Sequence, residues 1–295
     1  MSTLIRCFIF THFAGVHLIC PIPSKMKYRL LILFAALAIK VSAFEVAKKD
    51  TFQRKIDSIN YYLRIYDTLS PFAEYDDRFS LIESVQEKII SGLIDVLNDQ
   101  KIQKYDLNNT FDPNFLYHNS SADGRVHFFT IDAKNGGSWR MQRTILHTRL
   151  KDGTVRAAEL GENYAYASFG DVQLVDSTSA TYIAIGGVQT CNTCIAMMAL
   201  VIQPDSASAP EIICSFDSRT VDEYDMVYDP LTKTIFCQHS IRTNDPLSGS
   251  PDDSFEDGEE QFSEQPQKIT FQNEFAFRHG KFVRIKACWS SEEIE

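Results

Sequence analysis

The sequence predicts a mainly β protein with an N-terminal helical pair, its strands forming an antiparallel meander that is sandwich-like or propeller-like. Three observations carry this. Apolar residues recur at helical spacing between Phe52 and Leu97. From Arg125 onward they alternate, or cluster in short runs separated by Gly, Pro and Asn. No helical period intervenes between those runs, which argues against βαβ units and against the nucleotide crevice of a doubly wound sheet.

The chain begins with a leader. In Met26 to Ala43, Lys27 and Arg29 precede the apolar run Leu30 to Ile39, and Val41-Ser42-Ala43 offers small residues for cleavage. This is the pattern of a secretory signal peptide, too short for a comfortable membrane span. Residues 1–25 read as an upstream extension, and residues 1–43 together have a second reading as one long signal anchor. The expectation is an exported chain, periplasmic or secreted, with no membrane span after cleavage.

Charge narrows the partners. The chain carries 29 basic and 39 acidic residues, a net charge of −10. Residues 1–43 hold five basic and no acidic residues, so their removal leaves −15 on 252 residues. Nucleic acid is disfavoured, because a polyanion binder needs a basic stripe. Anionic membrane surfaces are disfavoured by the same sign.

After the leader, residues 44–107 form the expected helical segment. Phe52, Ile56, Ile59, Leu63 and Tyr66 share one helical face, with Thr51 as N-cap and Pro71 beyond the end. Phe79, Ile82, Val85, Ile89, Leu93 and Val96 repeat the pattern, with Asp76 or Asp77 at the cap. Residues 108–124 are rich in Asn, Asp, Ser, Pro and Gly and read as a linker. The β domain occupies 125–295. It opens on a hairpin, Arg125 to Leu150, reversing at Asn135-Gly136-Gly137. Its first strand, Val126 to Ile131, is apolar on both faces and therefore expected to be covered on both. Strands are expected at 155–159, 172–176, 181–185, 195–203, 211–216, 225–228 and 234–239, then a final core hairpin, 268–277 with 281–289. Gly170 and Gly186-Gly187 are read as turn residues between strands. Residues 244–266 hold eight carboxylates and no basic residue, and read as a mobile acidic loop.

Candidate chemistry is sparse. Cys191-Asn192-Thr193-Cys194 admits three readings: a structural disulfide, a zinc half-site or a redox pair. Five cysteines follow the leader, an odd number, so at least one thiol lacks a partner within one chain. Cys214 and Cys237 share strand phase with apolar neighbours and read as buried. His127 and His147 read as a structural pair on the opening hairpin. No Gly-x-Ser-x-Gly elbow, His-Glu-x-x-His helix or phosphate-cradling loop is present, so no catalytic residue and no cofactor is assigned. Asp252, Asp253, Glu256 and Asp257 are weak calcium candidates, because Phe255 breaks the spacing of an EF-hand loop.

Val126-His127-Phe128-Phe129-Thr130-Ile131-Asp132 followed by Gly136-Gly137-Ser138-Trp139-Arg140, with Tyr228-Asp229-Pro230 before Thr234-Ile235, resembles a group of exported proteins of Bacteroides-type bacteria that carries no assigned activity. Ile131 stands where that group has an aromatic residue. The resemblance implies export and a shared β architecture.

The functional expectation is a non-catalytic exported protein, in a binding or envelope-structural role, whose partner is an unknown protein or a glycan. Trp139, Tyr164 and Tyr166 are the binding candidates, as aromatics placed for loop tips. Thiol-disulfide chemistry at Cys191 and Cys194, or a calcium- or glycan-binding module, are the alternatives.

Overall fold

The computed structural model describes residues 50–73, 77–135, 141–164, 167–189, 195–206, 208–218, 221–242 and 267–293. The chain divides into two units, Met1–Thr51 and Phe52–Glu295, and the account below concerns the second. The segment read as a signal peptide, Trp139, Tyr166, Cys191, Cys194 and the acidic segment with Asp252, Asp253, Glu256 and Asp257 lie outside the described residues.

Two helices come first, α1 (Thr51–Thr68) and α2 (Arg78–Leu97), followed by a 3-10 turn, Gln100–Lys104, and a single-turn helix, α3 (Leu107–Thr110). The facing stripes are those expected: Phe52, Ile56, Ile59, Leu63 and Tyr66 are buried on α1, and Ile82, Val85, Ile89, Leu93 and Val96 on α2. Phe79 departs from its stripe. It is exposed, and the Arg78 guanidinium lies 4.7 Å from its ring centre.

Among the described residues twelve strands follow in three sheets, each a four-stranded antiparallel meander. The first sheet is β1 (Tyr117–Ser120), β2 (Val126–Asp132), β3 (Gln142–Arg149) and β4 (Val155–Glu159). The second is β5 (Ser168–Asp176), β6 (Thr181–Gln189), β7 (Ile195–Ile202) and β8 (Glu211–Ser218). The third is β9 (Val221–Asp229), β10 (Thr234–Arg242), β11 (Gln267–Arg278) and β12 (Lys281–Glu293). Two expectations are corrected here. The segment read as a linker, 108–124, contains β1, because polar Tyr117-His118-Asn119-Ser120 can pair along the β2 edge without apolar alternation. Gly186 and Gly187 lie inside β6 rather than in a turn. A Cβ at Gly186 would stand 2.7 Å from both the Phe169 ring and the Ser168 carbonyl, so the residue permits a close approach of β5 and β6.

The layers are sandwich-like and alternate cleanly. One core joins the helices to Phe129, Ile131, Ile145, Val155 and Ala157 on one face of the first sheet. A second joins the opposite face, through Val126 and Phe128, to Phe169, Tyr182, Met198 and Leu200 of the second sheet. A third joins the far side of the second sheet, including Ile183, Ile185 and Ala199, to Met226, Tyr228, Ile235 and Phe282 of the third. The order is therefore helices, first sheet, second sheet, third sheet. This explains why β2 is buried at six consecutive positions: Phe129 and Ile131 face the helices while Val126 and Phe128 face the second sheet.

Candidate functional site

The first sheet is wider than the layer against it. Leu146 and Thr148 on β3 pair with Ala158 and Arg156 on β4, and this face points toward the second sheet. Arg156 and Ala158 are nevertheless exposed, because the second sheet stops short of the β4 edge. The overhang roofs a cleft of about 530 Å³. Its opposite wall is Ile202 with the turn from Gln203 to Pro210, and Leu160 and Tyr164 close one end.

Local chemistry holds these walls. Leu160 N–H donates to the Thr144 carbonyl at 2.8 Å, fixing the exit from β4. Tyr164 lies on a single 3-10 turn, Glu162–Tyr164, and its Oη donates to the Pro210 carbonyl at 2.8 Å. The aromatic ring thereby bridges the two sides of the cleft. On the helix side, Asn98 at the C-cap of α2 donates Nδ2 to the Ala157 carbonyl and accepts the Ala157 N–H, both at 2.9 Å. This places an amide where another strand would pair, and stops the β4 edge from extending.

Two charged residues border the cleft, Arg156 on the face toward the second sheet and Glu159 on the helix-facing side, and they differ in freedom. Glu159 is engaged by Arg143, whose Nε and Nη2 donate to its carboxylate at 2.6 and 2.9 Å. Arg143 also donates to Glu87 at 2.6 Å, and these carboxylates push its pKa up. Arg156 makes no ion pair among the described residues and leaves a cation at the rim. A cleft of mixed apolar and polar lining with a cation at its rim suits an amphipathic body bearing an anionic group.

A second cavity, of about 370 Å³, lies on the helix-facing side of the same sheet, under the segment from Ile102 to Asn108. His127 and His147 reach it as a cross-strand pair, and His118 on β1 stacks beside His127. His118 Nε2 and His127 Nδ1 are 3.0 Å apart, and His127 Nε2 lies 3.0 Å from the Gly124 carbonyl. Since a carbonyl only accepts, His127 carries its proton on Nε2, and Nδ1 accepts from His118. The His127 and His147 ring centres are 5.4 Å apart. His147 is 3% exposed, with neither ring nitrogen hydrogen-bonded. Burial first, then the neighbouring His127, pulls His118 down to about 4 and His147 down to about 3. The row is thus held neutral. Among the described residues no group of three or more His, Cys, Asp or Glu is arranged to hold a metal ion.

Of the sequence candidates, Tyr164 stands in a wall of the larger cleft. The paired reading of His127 and His147 agrees with their register, and His118 joins them without having been singled out. Its sole signal in the sequence was polarity, in a segment that gave no strand pattern. Cys214 packs against the core that contains Cys237, at the junction of the second and third sheets, and both are free thiols. The neighbouring Cys237 and burial push the Cys214 thiol up, which opposes nucleophilic reactivity there. No protein-family model and no curated protein matches the chain.

Proposed function

We propose that this chain is an exported binding protein that takes an amphipathic organic anion into the cleft between its first two sheets. The observation that carries the reading is the cleft: about 530 Å³, lined by Leu146, Leu160, Ile202 and Tyr164 with polar residues among them, and edged by Arg156, which makes no ion pair among the described residues. A volume of this size suits a small organic ligand. The leader-like pattern of residues 26–43 supports export.

The probe for the test is 8-anilinonaphthalene-1-sulfonate, an aromatic body with one anionic group. Saturable enhancement of its fluorescence is expected in the native protein. Tyr164→Ala removes it and Arg156→Ala weakens it about tenfold, the loss of one charge-assisted contact. Binding unchanged in both variants refutes the cleft as the site.

A further inference from the structure

We propose that a second copy of this chain pairs with the exposed edge of β12, in antiparallel register about Trp289, to join two third sheets into one continuous sheet. β12 is 13 residues long and forms the edge of its sheet, hydrogen-bonded only to β11 among the described residues. Natural edge strands are kept short, bulged or charged along their length, because open N–H and C=O groups recruit another strand. In its second half β12 carries charge only toward the ends, at Lys286, Glu292 and Glu293, whereas its first half is bulged as well as charged. A register shift at Glu274/Phe275 interrupts that half, which carries Lys281 and Arg284. From Lys286 to Glu293 the strand runs in unbroken register with Glu274 to Gln267.

That second half is complementary to itself. With Trp289 opposite Trp289 of the partner subunit, Lys286 falls opposite Glu292 of the partner subunit, and the two lie on the same face by strand alternation. Within one chain Lys286 already lies 3.5 Å from Glu274, and Glu292 lies 3.6 Å from Lys268. The pairing therefore joins two short charge rows into one of alternating sign, Glu274, Lys286, the partner's Glu292 and the partner's Lys268. A slip of one residue puts these charges on opposite faces, and a slip of two sets Lys286 against the partner's Ser290.

On the other face, Trp289 ends a cross-strand row that runs through Phe271 and His239 to Tyr224. His239 stacks on Phe271 and on Phe216, with ring centres 5.0 and 4.6 Å apart. The row stops at Trp289, which is 69% exposed. Cross-strand aromatic pairs stabilise a sheet, and pairing with its own copy covers this ring.

Sedimentation equilibrium of the full chain tests the assignment. The expected result is a dimer that Lys286→Glu and Trp289→Lys each return to the mass of one chain, with the circular-dichroism spectrum of the native fold retained because both positions are exposed. The double variant Lys286→Glu with Glu292→Lys restores the opposite charges across the axis and recovers the dimer in part, because it also sets like charges beside Glu274 and Lys268. In this register Cys288 of each chain stands diagonally across the axis, roughly 7–8 Å apart, so a short bismaleimide joins the two and the Cys288→Ser variant abolishes the product. A dimer indifferent to both single variants overturns the proposal. So does a monomer, including one whose β12 amides resist hydrogen exchange, which assigns the edge to residues of the same chain.

Discussion

Asn98 closes both halves of its side-chain amide on the backbone of Ala157, so the last residue of the helical pair is also the terminator of the first sheet. The C-cap of α2 and the edge of β4 are one structural feature. It fixes the helical layer over the face that holds Ile145, Val155 and Ala157.

Asn98→Ala removes three hydrogen bonds, one of them to the Ile94 carbonyl, and leaves the N–H and C=O of buried Ala157 unpaired. The expected loss is about 1–3 kcal/mol, read as a lower urea midpoint at constant slope. Asn98→Asp is expected to be intermediate, since a carboxylate can accept the Ala157 N–H but offers its carbonyl no donor.

Acidification is expected to destabilise the fold before any carboxylate titrates. A free histidine titrates near 6.5, whereas the folded state holds His118 near 4 and His147 near 3. Between those values the unfolded chain binds more protons, so stability is full above pH ~6.5 and falls as pH drops toward the folded values. His147 is the more deeply buried and contributes on the order of 1 kcal/mol per pH unit in that window. His147→Phe should flatten the dependence of melting temperature between pH 7 and pH 5, both rough bounds of the window. An unchanged slope would show that the imidazole is already charged or hydrated in the folded protein.

Gly186→Ala is expected to cost about 1–3 kcal/mol through overpacking, because the new methyl meets the Phe169 ring and the Ser168 carbonyl at 2.7 Å. Thermal unfolding checks it. A neutral result would mean that β5 can withdraw from β6 without loss.

Thiol titration separates the cysteines by layer. Cys288 is exposed, whereas Cys237 is buried and Cys214 half-buried. In a chain whose Cys7, Cys20, Cys191 and Cys194 are replaced by serine, a rapid reaction with an aromatic disulfide reagent is expected and vanishes on adding Cys288→Ser, with Cys214 and Cys237 reacting only as the chain unfolds.

Much of the fold was legible because its signals are local. The stripe from Phe52 to Tyr66 and β2, with apolar residues on both of its faces, each state how many faces they bury. The final hairpin was legible only in part. Phe275, Phe277 and Phe282 pack on the third core as an inward alternation requires, yet Ile285 and Trp289 are exposed. The register shift at Glu274/Phe275 changes the alternation, and the third sheet runs past its neighbour. Neither a bulge nor the width of the next layer is written in a strand's own pattern. The cleft was illegible for the same reason. It exists because β4 overhangs the second sheet, a relation between segments about fifty residues apart. Tyr164 could be named as a candidate aromatic, but its carbonyl partner at Pro210 could not.

Hydrogen exchange with and without 8-anilinonaphthalene-1-sulfonate tests the binding site most directly. If the cleft is the ligand site, protection appears at Leu160 to Tyr164 and at Ile202 to Pro210, and is lost in Tyr164→Ala. Protection confined to the β12 edge, or none at those two segments at saturating probe, would contradict it.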